Sequence, residues 1–109
     1  MAAVVDVDIN EGDTFIMTIE MWSDEDNTIP IDVSGSTFTG SFKFGTRIVP
    51  MSCIVSGVSN NVLTAKVEYT QMANLPTQGK YDIDQLDNAS NEKFRLIQGA
   101  ARVDQEVTV

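Results

Sequence analysis

Apolar and polar residues alternate with a period of two along most of this chain. Across residues 62–70, Leu63, Ala65, Val67 and Tyr69 fall on one side of an extended backbone. Val62, Thr64, Lys66, Glu68 and Thr70 fall on the other, which predicts a strand with one buried and one wet face. Pro76 and Gly79 then allow the chain to reverse, because proline fixes φ and glycine tolerates positive φ. In the strand predicted over 80–86, Tyr81 and Ile83 share a face while Asp82 and Asp84 point to solvent. Residues 63–86 therefore read as a hairpin-like unit with the other strands laid against it.

The same reading recurs in order along the chain. Residues 3–9 read as a first strand, alternating from Val5 and closed by a turn at Asn10, Glu11, Gly12 and Asp13. Residues 14–22 place large side chains on both faces, with Phe15, Met17, Ile19 and Met21 on one and Ile16 and Trp22 on the other. That pattern predicts a central strand covered twice, or one whose second face meets a partner. After the polar run 23–27, residues 28–33 are short and extended, with Pro30 at an edge or between strands. Residues 36–46 carry Phe38, Gly40, Phe42 and Phe44 on alternate positions, the pattern of a half-buried strand. A strand over 47–55, a reversal at 56–61, another at 87–92 and closing strands over 94–103 and 107–109 complete the series. Only residues 69–75 could hold a short helical turn. Strand signals at about ten- to twelve-residue spacing predict an all-β fold, a single-domain β-sandwich, immunoglobulin-like or a related small barrel, over residues 1–109.

Charge narrows the partners. Sixteen acidic residues against seven basic ones give a net charge of −9, which opposes binding to nucleic acid or to an anionic membrane surface. The N-terminal residues MAAVVDVDIN lack the basic and apolar regions of a signal peptide, and no segment approaches the roughly twenty apolar residues of a membrane span. The expectation is a soluble protein made in a cytoplasm.

Candidate chemistry is sparse. There is no His to serve as a base, and the single cysteine, Cys53, is flanked by Met51, Ile54 and Val55 and reads as a small buried hydrophobe. Asp24, Glu25 and Asp26 lack the spacing and closing Glu of an EF-hand, so they read as a solvated loop. Asp82 and Asp84 share a face as an acid/base pair would, yet no pocket is signalled near them. Gly35, Gly40, Gly45 and Gly57 are turn or strand-bend glycines and form no phosphate loop. Trp22, Tyr69 and Tyr81 could line a sugar platform, although core and interface packing accounts for them too. No catalytic, cofactor or metal-binding residue is assigned.

A resemblance is carried by runs of residues spread over nearly the whole chain. Asp8-Ile9-Asn10-Glu11-Gly12-Asp13-Thr14-Phe15, Ile29-Pro30-Ile31-Asp32-Val33-Ser34-Gly35-Ser36-Thr37-Phe38, Leu75-Pro76-Thr77-Gln78-Gly79-Lys80-Tyr81-Asp82-Ile83 and residues 99–109 together resemble a small β-sandwich module of tailed-phage structural proteins. That module occurs at the N-terminus of upper baseplate and receptor-binding assembly proteins, and as short free-standing virion proteins. The resemblance implies a non-enzymatic virion protein without a cofactor, attached to tail, baseplate, collar or fibre or decorating the capsid. Its implied partners are other virion proteins and copies of itself. No receptor-binding domain follows Val109 here, so an accessory subunit is expected; the alternative is a carbohydrate-binding β-sandwich module.

Overall fold

The computed structural model describes residues 3–23, 26 and 28–105. Their strands are β1 (Ala3–Val4), β2 (Val7–Asn10), β3 (Phe15–Glu20), β4 (Ser36–Phe44), β5 (Arg47–Ser56), β6 (Val62–Val67), β7 (Gln78–Asp87) and β8 (Glu92–Asp104), with a 3-10 turn at Tyr69–Gln71. All join one sheet in the order β1-β8-β7-β4-β5-β6-β3, and β2 pairs with β8 in line with β1. The fold is all-β, as the alternation predicts. The predicted final strand 107–109 lies outside the described residues.

The sheet curls because β5 serves two neighbours in succession. Residues 47–51 pair with β4, and residues 52–56 pair with β6. Beyond that corner, β6 and β3 fold back over the rest of the sheet and form a half-barrel. Phe15 of β3 consequently meets Phe42 of β4 edge to face at 4.9 Å, although β5 and β6 separate their strands in the sheet.

Alternation supplies the core. On the concave side Val49, Phe42, Tyr81 and Gly99 are cross-strand neighbours over four strands. Phe42, Leu63, Ala65, Met72 and Ile83 have no exposed surface, and each large one contributes about 1.5–3 kcal/mol of transfer free energy. Phe42 stacks on Phe44 with ring centroids 5.7 Å apart. The Phe44 ring occupies the space above Gly79, where an added Cβ would stand 2.3 Å from it.

Two expectations are corrected here. β6 and β7 do not form a hairpin: β6 pairs with β3 and β5, whereas β7 pairs with β4 and β8. The segment between them crosses one end of the half-barrel and buries Met72 and Leu75 in it. The Arg47 guanidinium clamps this segment by donating to the carbonyls of Ala73 at 2.8 Å and Gln71 at 2.9 Å. The Glu11 carboxylate accepts the Leu75 N–H at 2.8 Å, and the Met72 carbonyl accepts the Gly12 N–H at 2.9 Å. The second correction concerns β3, which is an edge strand rather than a central one, paired only with β6 among the described residues.

At the opposite edge β1 and β2 run parallel to β8 in a single register, interrupted at Val5 and Asp6. The interruption is held in place from three sides. Val5 N–H donates to the Gln98 carbonyl, Ala100 N–H donates to the Asp6 carboxylate, both at 2.9 Å, and the Tyr81 hydroxyl donates to the Val5 carbonyl. Gly99 leaves the room required, since a Cβ there would lie 2.0 Å from the Val5 oxygen.

Candidate interaction surface

The two edges of the curled sheet bound an open side of the molecule. β2 enters β3 through the Glu11–Gly12 turn, yet the two strands do not pair, and a wedge of about 220 Å³ opens between Asp8, Ile9 and Asn10 on one bank and Thr14, Phe15 and Ile16 on the other. Further along lies an apolar cleft of about 360 Å³, with Ile19, Met21, Trp22 and Ile31 on one wall and Leu96 and Ile97 on the other.

A β-bulge builds that second wall. The pairing of β7 with β8 shifts register between Ile83 and Asp84, passing from Ile83↔Ile97 to Asp84↔Arg95. Leu96 is therefore an extra residue in β8, and the bulge brings two consecutive side chains, Leu96 and Ile97, to the cleft. The facing wall is fixed by Pro30 bridging Trp22, by Ile31 N–H donating to the Met21 carbonyl at 3.1 Å, and by the buried Asn61, whose amide donates to the same carbonyl at 3.3 Å. Trp22 Nε1 donates to the Glu20 carboxylate at 3.3 Å.

The two edges differ as pairing surfaces. The N-terminal edge is broken at Val5 and Asp6 and carries the exposed Asp6 and Asp8, features that discourage strand addition. β3 runs six residues without proline, glycine or bulge, and its sole charge is Glu20 at its end. Ile16 remains 59% exposed on its convex face. Because Met21 N–H donates to the Asn61 carbonyl at 2.9 Å, in register with the β3–β6 pairing, alternation directs the N–H and C=O groups of Ile16, Thr18 and Glu20 away from β6. Three donors and three acceptors face outward along this edge.

The residues singled out from sequence are dispersed. Tyr81 is buried in the core beside Phe42, with ring centroids 5.9 Å apart. Tyr69 follows the end of β6 nearest Phe15, and Trp22 follows the other end of β3, so the three aromatics form no platform. Burial raises the Tyr81 hydroxyl pKa, with a further push from the nearby Asp6 carboxylate. Asp82 and Asp84 lie on the convex face, as expected, and are engaged there: Arg95 approaches Asp82 at 3.7 Å and Asp84 at 3.6 Å, and Lys93 approaches Asp84 at 3.5 Å. The Lys93 and Arg95 side chains are more than half exposed, so these surface pairs contribute about 0–1 kcal/mol each. Cys53 is half-buried against the core, and burial raises its thiol pKa. Asp26 is exposed, and Asp24 and Glu25 lie outside the described residues. Among the described residues no three His, Cys, Asp or Glu side chains are placed to share a metal ion.

Compared with models of protein families and with curated protein sequences, the chain matches none. The open edge and its cleft were not visible in the residue pattern of 14–22, which reads the same for a doubly covered strand. The consecutive apolar pair Leu96-Ile97 was the available signal, because it breaks the alternation of β8 at the bulge.

Proposed function

We propose that this chain is a non-enzymatic structural protein of a tailed-phage virion, seated on tail, baseplate, collar, fibre or capsid through contacts with other virion proteins and with copies of itself. The observation that carries the reading is the edge of β3, unpaired among the described residues, beside an apolar cleft. A protein that functions alone blunts such an edge with lysine, proline, a bulge or a covering loop, and among the described residues β3 has none of these. A subunit whose edge is covered in an assembly has no need of them. The resemblance to phage structural modules, spread over nearly the whole chain, supports the same reading and supplies its virion setting. The net charge of −9 fits a part that stays dispersed before assembly.

The test is localisation. Particles purified from the source are analysed by mass spectrometry for this chain and mapped by electron microscopy. Density on the shell lattice identifies a decoration subunit, density at neck, tail or baseplate identifies an attachment piece, and absence of the chain from purified particles overturns the reading.

A further inference from the structure

We propose that the β3 edge and the adjoining cleft form an acceptor for one extended segment of a partner protein, with apolar side chains at alternate positions and basic side chains between them. This deepens the reading above, that the chain acts through protein–protein contacts.

Three observations specify the occupant. The outward N–H and C=O groups of Ile16, Thr18 and Glu20 call for a strand, since only another extended backbone satisfies them in sequence. The cleft between Ile19, Met21, Trp22 and Ile31 and the bulged Leu96-Ile97 pair runs beside that edge and takes apolar side chains from one face of such a strand. The rims are acidic, with Glu20 at the cleft and Asp8 and Asp13 at the wedge, all exposed. Residues on the opposite face of the incoming strand are thereby selected to be basic, and the attraction weakens as salt rises. A second copy of this chain fits less well, because it brings its own net charge of −9 to an acidic rim.

The probe is an end-blocked synthetic peptide of alternating lysine and valine, about seven residues long, enough to span β3 at roughly 3.4 Å per residue. A control of the same charge carries proline at its centre. Trp22 is the only tryptophan and lines the cleft, so its emission reports occupancy. The expected result is a blue shift with the alternating peptide and none with the control. Amide exchange at Ile16, Thr18 and Glu20 should slow about tenfold at a peptide concentration about ten times its Kd, following mass action. Thr18→Pro removes one outward N–H without touching the β6 ladder and should abolish binding. The exchange measurement uses the unaltered protein and decides the matter even if that variant misfolds. Equal binding of the proline control, or binding without slowed exchange at those three amides, overturns the proposal by reducing the contact to charge alone. A concentration-dependent dimer that itself protects those amides overturns it in favour of a second copy. These outcomes are independent of whether the chain is found in particles.

Discussion

Gly99 decides whether the first strand can dock. The Val5 carbonyl crosses the space that any side chain at position 99 would fill, so Gly99→Ala must push the chain out at the break between β1 and β2. The expected cost is on the order of 2–4 kcal/mol, read by chemical denaturation, with the residues of β2 becoming accessible to protease. Tyr81 fastens the same carbonyl from below, and its hydroxyl gives the protein an alkaline limit. Burial, and secondarily Asp6, hold the folded-state pKa above the ordinary value of about 10. The folded chain therefore prefers the protonated hydroxyl. That preference is complete below about pH 10 and is lost as pH rises through the folded-state value. Melting temperature followed from neutral to alkaline pH should fall more steeply above about pH 10 in the native protein than in Tyr81→Phe, which has nothing to ionise.

Among the elements, the segment between β6 and β7 depends on side chains brought from elsewhere. Arg47 reaches the carbonyls of Gln71, Ala73 and, at 3.5 Å, Asn74, with a planar fork that an ammonium does not reproduce. Arg47→Ala should cost about 1–2 kcal/mol and speed amide exchange across residues 69–77, and Arg47→Lys should restore little of either. This segment also shows where sequence reading stops. The faces of β4, β6 and β7 were legible because alternation reports which residues point inward, and Phe42, Leu63, Ala65, Tyr81 and Ile83 are buried as that pattern demands. Alternation does not report which strands are neighbours. The connection from Val67 to Gln78 is too long for a tight hairpin, and that length was the signal that β6 and β7 part company. β3 misled for a different reason: apolar residues on both faces suit a covered strand and an edge awaiting cover equally. The cleft left only the consecutive Leu96-Ile97 pair as its trace in the sequence, because its walls meet only after the sheet bends at β5.

At the scale of the whole molecule, the first described strands, β1 and β2, are stitched to the last, β8. β8 spans thirteen residues, about 44 Å at the usual rise, and the long dimension of the molecule is 45 Å. Along part of that length it carries β2 in parallel, with Val7 to Asn10 opposite Ala101 to Asp104. Parallel strands far apart in sequence, as β2 and β8 are, respond to tension in a particular way. Force applied between Ala3 and Asp104 drags β2 and β8 past each other along their axes, so their hydrogen bonds share the load and fail together. Force applied between Gly12 and Asp104 instead opens the pair from one end, a bond at a time. Single-molecule extension should show a markedly higher rupture force for the first geometry than for the second, and equal forces would show that the terminal pair bears no load. A subunit tethered at both ends inside a larger body would thus be a mechanical clamp as well as a spacer.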